Sequence, residues 1–393
     1  MSEQEVAVRL DGFAFAGKRL LVVIPDGTRT APMQMLYRQL CRRLLPGCEQ
    51  LDFLIALGTH PLMSEAEIDR LVGPRQPGTR VLNHRWDLPD TFVEVGKISQ
   101  EETWELSEGR LRLEVPIRVN RLLLEYDRVL LLGPVFPHEV AGFSGGSKYI
   151  FPGVGGGEVI HFTHWLGALV TSFATIGVED TAVRRTIELA AERVPCERTA
   201  ICLVTSSQGL HGMFIGPPRE AWRQAAALSA QVHVRYHDQP YQRVLSLVPE
   251  RYQDLWTGAK GMYKVEPVVA EGGEVVLHAP HITEVSYTHG HLLDQIGYHV
   301  RDYFTKQWER FREFPWGVLA HSTHLRGCGT FEDGVEKPRV ELVLATGIEP
   351  ERCRRLGLGY RDPATIDPAD WERPGSLLVP NAGEILHRLK SYA

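Results

Sequence analysis

Short apolar runs recur along the chain near residues 19–24, 53–57, 128–133, 200–205, 274–278 and 339–345. Between them lie stretches with helical spacing of apolar positions, for example over 32–45 and 181–193. Strands alternating with helices predict layered α/β structure with parallel sheets. Further helices are predicted over 151–167, opened by Gly155-Gly156-Gly157, over 261–270 and over 383–391. No internal repeat or low-complexity segment is visible. The expected architecture is two α/β domains with largely parallel sheets and the active site in the cleft between them. The first spans 1–179 and binds the cofactor, and the second spans 180–375. The tail, 376–393, is expected to form a helix that packs back on the first domain.

Composition adds bounds. At 393 residues the chain exceeds the usual size of a single core. A hydrophobic share of 43% with 23% charged residues is that of a globular protein. A formal charge of −6 argues against general nucleic-acid binding. The absence of a long apolar run argues against a membrane span, and the N-terminus lacks the apolar core of a signal peptide. The expectation is a cytoplasmic enzyme acting on a small molecule. The cysteines, Cys41, Cys48, Cys196, Cys202, Cys328 and Cys353, include no C-x-x-C pair, so they are expected to stay reduced.

The chemistry concentrates in HEVAGFSGGSKYIFPG, from His138 to Gly153. Backbone N–H groups of a Gly-rich turn can approach a phosphate closely, which makes Ser144, Gly145 and Gly146 cofactor-binding candidates. Lys148 follows that turn and can pair with an anion or attach a cofactor covalently. His164 comes sixteen residues later. The turn is not a P-loop, because Tyr149 stands where Ser or Thr is required. A second group follows the first strand: Asp26, Thr28 and Arg29, in PDGTR. A third follows the next strand, GTHPLMSE, with His60 in a loop and Ser64 as N-cap of a helix with Glu67 as capping-box partner. With His138, His60 makes an acid/base pair. Lys260-Gly261 precedes Gly272-Gly273 and the strand after it.

These segments resemble, in order, those of the nickel-dependent lactate racemase superfamily: D-x-T-R, G-x-H, and H-x-x-x-G-[FY]-S-G-G-x-K-x-x-x-P-G followed by a histidine. The resemblance implies a racemase or epimerase of a 2-hydroxy acid that uses the nickel-pincer nucleotide. That cofactor is a pyridinium-3-thioamide-5-thiocarboxylic acid mononucleotide. It implies that Lys148 forms the thioamide, that His164 is the protein's nickel ligand, and that cofactor-synthesis proteins act in maturation. His60 and His138 would be the catalytic bases, and Arg29, Lys260 and Asp26 would lie on the substrate side. Thr28 would join Ser144, Gly145 and Gly146 at the cofactor. Hydride leaves C2 while a base takes the hydroxyl proton, and hydride returned to either face of the planar keto acid gives both stereoisomers.

The chain departs from the family pattern at Ser147, where Arg is frequent, at Pro61, where Arg is common, and at Thr30, where Pro is common. Lactate-like, malate-like and sugar-acid substrates all stay open. So do a nickel-free lysine-dependent enzyme and a non-catalytic binder of organic acids or nickel. His278, His281, His289, His291 and His299 form a dense group that reads as pocket or interface residues, with Tyr287 and Trp316 as further lining. His321, His324 and Cys328 could in principle ligate a metal, but an ordinary loop is the preferred reading.

Overall fold

The computed structural model describes residues 1–15 and 17–392 and divides into two compact units. The first comprises residues 1–136, 143–160 and 184–232. The second comprises 137–142, 161–183 and 233–393. The division is therefore not the single break near residue 180 that a linear reading suggests. The turn with His138 and the stretch with His164 belong to the second unit, whereas Lys148 belongs to the first.

The first unit is built on a six-stranded sheet. Its strands run in the order Gly209–Gly216, Arg198–Ser206, Arg128–Pro134, Arg19–Pro25, Gln50–Ala56, Thr79–Asn83. All neighbours are parallel except the first pair, a hairpin. Val22 lies opposite Phe53 on one side and Leu130 on the other. The helix Met33–Leu44 buries Leu36, Tyr37, Leu40, Cys41 and Leu44, spaced three or four apart, against this sheet. Three neighbouring parallel strands thus deliver their following loops, which begin at Asp26, Leu57 and Val135, to one edge of the sheet. That carboxyl edge is where open α/β sheets bind ligands.

The second unit holds a five-stranded parallel sheet. Its order is Gly359–Tyr360, Glu341–Thr346, Val269–Ala279, Tyr241–Leu247, Ser376–Val379. Mixed α/β architecture with largely parallel sheets is as expected. Among the described residues no helix is long and apolar enough to cross a membrane.

Two helices expected from the sequence are absent. Over 261–270 there is one helical turn, Lys260–Tyr263, a 3₁₀ turn, Glu266–Val268, and the start of the strand Val269–Ala279. Pro267 offers no N–H to a continuing helix, and Val265, Val268 and Val269 favour extended backbone. Gly272 and Gly273 consequently lie inside the strand. The C-terminal segment is not a helix packed on the first unit. Its Leu386–Leu389 pairs in parallel with Val234–His237 inside the second unit.

Candidate active site

In the first unit, Asp26 follows the strand Arg19–Pro25 directly and is 7% exposed. Its Oδ1 accepts from the backbone N–H of Thr28 (3.1 Å) and from the Thr28 hydroxyl (2.6 Å). Its Oδ2 lies 2.6 Å from Nδ1 of His60. Burial pushes the carboxyl up. The hydrogen bond and charge of His60, the charge of Arg29 and the Thr28 hydroxyl outweigh it and hold the group well below the usual carboxylate range. An ionised Asp26 requires a proton on Nδ1 of His60. The Nε2 atom of the neutral ring then carries the lone pair.

The His60 loop is braced from several directions. Trp86 donates its indole N–H to the His60 carbonyl at 2.7 Å. Ser64 and Glu67 form the expected capping box on the helix Glu65–Val72. Gly58, at φ +57°, donates its N–H to Gly153 at 2.9 Å, and Gly153 donates to Lys148 at 3.2 Å. The half-buried Lys148 is thereby coupled through backbone bonds to the loop bearing His60. Tyr149 lies within electrostatic reach of both Arg29 and Asp26. The first unit therefore assembles Asp26, Thr28, Arg29, His60 and Lys148 at one sheet edge.

The Gly-rich turn is clamped from behind. The Arg184 guanidinium donates to the carbonyls of Phe143 and Gly145 and pairs with Glu188. It also stacks on Trp222, 4.0 Å from the ring centroid. Trp222 donates to the Ser144 carbonyl at 2.9 Å, and the Ser147 hydroxyl donates to Glu188 at 2.6 Å. A Cβ on Gly146 would lie 2.9 Å from Trp222, and one on Gly145 would lie 2.6 Å from Val135. These glycines are thus required by packing. The buried Ser144 hydroxyl, expected at the cofactor, is committed to the Phe136 N–H (2.9 Å) and the Pro134 carbonyl (3.2 Å). Asp26, expected on the substrate side, has His60 as its partner. Arg184, Glu188 and Trp222 were not singled out from the sequence, because nothing local links them to a turn 41 residues away for the first two and 78 for Trp222.

In the second unit, His138 is 7% exposed. Its Nδ1 accepts the N–H of Val140 at 3.1 Å and lies 3.4 Å from that of Ala141. In the neutral ring this leaves the proton on Nε2. Glu139 Oε2 stands 3.4 Å from the same Nδ1. The His138 turn packs closely on the helix Gly157–Val170, which carries His164. A Cβ on Gly167 would lie 2.9 Å from Val140.

Lys260 opens a helical turn just after Leu255–Gly258, with Ala259 in helical conformation between them. Trp256 and Lys260, four residues apart, therefore share a face. Lys260 Nζ is 3.3 Å from the Thr257 carbonyl and 4.8 Å from the centroid of the Tyr252 ring. The helix Trp316–Arg326, in place of the expected loop, brings His321 flat against Trp256, with centroids 3.9 Å apart and planes at 23°. His321 lies within electrostatic reach of Lys260, His164 and His289.

The other histidines disperse. His299 pairs with Glu336 at 2.8 Å, His281 is 3.1 Å from the Tyr252 carbonyl, and His291 is exposed. Trp316 packs on Trp308, and Tyr287 is 66% exposed, so the aromatic lining beside Lys260 comes from Trp256 instead.

Among the described residues no group of three or more His, Cys, Asp or Glu is arranged to hold a metal by itself, His321, His324 and Cys328 included. A metal served by His164 would have to bring its other ligands with it. Lys148 and His164 are side chains of the kinds that a covalently attached, nickel-carrying nucleotide would need from a protein.

Residues 6–177 match the family model for the lactate racemase N-terminal domain. Lactate racemase from Thermoanaerobacterium thermosaccharolyticum is 24% identical over 276 residues, 69% of this chain. The matched stretch spans 62% of that relative's own length. A crystal structure of a Thermotoga maritima protein has a TM-score of 0.92 at 31% identity, covering 99% of both chains. The lactate racemase apoprotein from T. thermosaccharolyticum superposes with a TM-score of 0.77 at 18% identity, covering 99% of this chain and 93% of that one, and so shares the fold. With the D-x-T-R, G-x-H and lysine-bearing segments arranged as described, residues 6–177 form a lactate racemase N-terminal domain, and the chain shares the lactate racemase fold.

Proposed function

We propose that the protein interconverts the C2 stereoisomers of a 2-hydroxy acid, with His60 and His138 as its acid/base pair. The opposite tautomers of these two histidines carry the reading. Asp26 holds a proton on Nδ1 of His60 and leaves Nε2 ready to accept one. In the neutral ring the backbone N–H of Val140 keeps the proton of His138 on Nε2, so His138 serves as the acid from its imidazolium form and returns to the neutral ring on giving the proton up. A reaction that runs both ways needs one group of each kind, exchanging roles with direction. When His138 takes up a second proton, Glu139 is placed to receive its Nδ1–H. Arg29 and Lys260 supply the positive charge that a carboxylate requires.

The implied cofactor would be held by Lys148 through a covalent bond and by His164 through nickel. When bound it supplies a reversible hydride acceptor. The protein's own work is to take or return the hydroxyl proton, to fix the carboxylate and to orient C2. Acid/base assistance is worth roughly 10²–10⁴-fold.

The test is chiral chromatography of 2-hydroxy acids incubated with protein co-produced with the cofactor-synthesis proteins. Interconversion in both directions is expected, with His60→Ala and His138→Ala each suppressing both. Complete loss of a C2 deuterium to water from the first turnover would overturn the hydride route, and a fully loaded protein that leaves every acid unchanged would overturn the activity. Intact mass provides an independent check: an adduct on the wild type should vanish in Lys148→Arg, whose persistence would place the attachment elsewhere.

A further inference from the structure

We propose that the tail segment 380–387 is a strap that positions Lys260, with Gly383 set against the lysine's stem and Lys264 fastening the turn that bears it. The proposal rests on the 2-hydroxy-acid reading above, in which Lys260 holds the substrate carboxylate.

The topology of the second unit brings the two pieces together. Tyr241–Leu247 and Ser376–Val379 are parallel neighbours, with Ser246 opposite Val379. The chain that leads to Lys260 and the tail therefore leave the sheet side by side at one edge. A turn of four residues, Lys260–Tyr263, makes too few internal hydrogen bonds to fix itself. Its flanks are fastened to the tail instead. Ahead of it, the Ala382 N–H donates to the Leu247 carbonyl at 2.8 Å. Arg251 pairs with the Glu384 carboxylate at 3.4 Å and donates to the Asn381 side chain at 3.2 Å. Behind it, the Lys264 carbonyl accepts from the His387 N–H at 2.8 Å. Lys264 is 4% exposed, and its Nζ donates to the Glu384 carbonyl, 120 residues further along, at 2.8 Å. A buried ammonium group needs hydrogen-bond acceptors, so this bond ties the turn to the tail.

Gly383 makes the closest approach. It has φ +108°, and a Cβ there would lie 2.7 Å from Cε2 of Tyr252 and 3.2 Å from Cβ of Lys260. Tyr252 is itself buried, so its ring has no room to swing aside. Only glycine lets the tail backbone pass this close. The Tyr252 ring is thus held at its edge by the tail, while Lys260 Nζ lies 4.8 Å from its centroid. A lysine stem is flexible, and a fixed ring and backbone beside it narrow its rotamers before a carboxylate arrives.

The experiment uses the cofactor-loaded protein and two readouts. The first is the rate at which acetic anhydride acetylates Lys260, followed by peptide mass spectrometry with the exposed Lys97 as reference. The second is KM and kcat for whichever of L-lactate, L-malate and D-gluconate is interconverted fastest. Gly383→Ala and Lys264→Met should each speed labelling of Lys260 at least threefold. Each should also raise KM at least tenfold with kcat within threefold, because a carboxylate is held alike in ground and transition states. In a Lys260→Ala background the same changes should move KM less than threefold, which a purely structural role would not produce. Where Gly383→Ala does not fold, Lys264→Met, which keeps the apolar stem, decides. Labelling within twofold of wild type, an equal rise of KM in both backgrounds, or a fall in kcat alone would overturn the proposal. Faster labelling in a protein that interconverts none of the three acids would sustain the strap and sink the racemase reading. Interconversion with labelling and KM unchanged in both variants would do the reverse.

Discussion

Replacing Asp26 by Asn isolates the role of the carboxylate behind His60. At 2.6 Å and an effective dielectric of 20, its raw attraction for a protonated His60 is about 6 kcal/mol. The His60 side chain is 37% exposed, so solvent screening removes at least half and leaves about 3 kcal/mol. That corresponds to about a 100-fold loss of rate. An asparagine amide can also donate to Nδ1, which would move the ring proton to Nε2 and remove the acceptor. The expected phenotype is a fall in kcat with KM within about threefold, because the missing interaction is realised when the histidine takes a proton. Chiral chromatography at saturating substrate gives the rate. Proton NMR of the imidazole N–H region gives a second readout, since the strongly hydrogen-bonded Nδ1–H resonance should disappear. A rate within threefold of wild type, with melting unchanged, would refute the dyad. A change confined to KM would instead assign Asp26 to Arg29 and carboxylate binding.

Other expected outcomes follow from the same contacts. Glu188→Ala leaves the buried Arg184 without its carboxylate and Ser147 without its acceptor; denaturant titration should show a loss of about 3–5 kcal/mol, and less than 1 kcal/mol would remove the pair from the turn's support. Burial lowers His84 and His324 to about 4, so the unfolded chain binds protons that the folded one refuses between that value and the ordinary 6.5. Stability from these two groups is complete above about pH 6.5 and is lost as pH falls towards 4, by about 3 kcal/mol each; melting temperature followed over this range should fall, and a slope unchanged in His84→Phe would discount that residue. Ser64→Ala removes an N-cap and should cost about 1 kcal/mol, read by thermal melting, with His60-dependent activity retained.

Much of the first unit was legible in the chain because its signals are local. The capping box at Ser64 and Glu67 spans three residues, and the apolar runs mark strands whose following loops carry Asp26 and His60. The Gly-rich turn and Lys148 could be located by spacing alone. What each side chain does there was not local. The Asp26–His60 bond joins loops thirty-four residues apart, and the Arg184 clamp reaches forty-one residues back to Phe143. The tail was misread as a helix because its partner strand, Val234–His237, lies about 150 residues away and leaves no periodic trace in the tail itself. His321 and Trp256 appear unrelated along the chain, and only the packing of two helical segments makes them one stacked wall. Hydrophobic periodicity and caps act over a few residues, so sequence alone determined the strands, most helices and the candidate chemistry. Tautomer, charge state and the wall beside Lys260 depend on contacts made at long range, which only the tertiary structure decided.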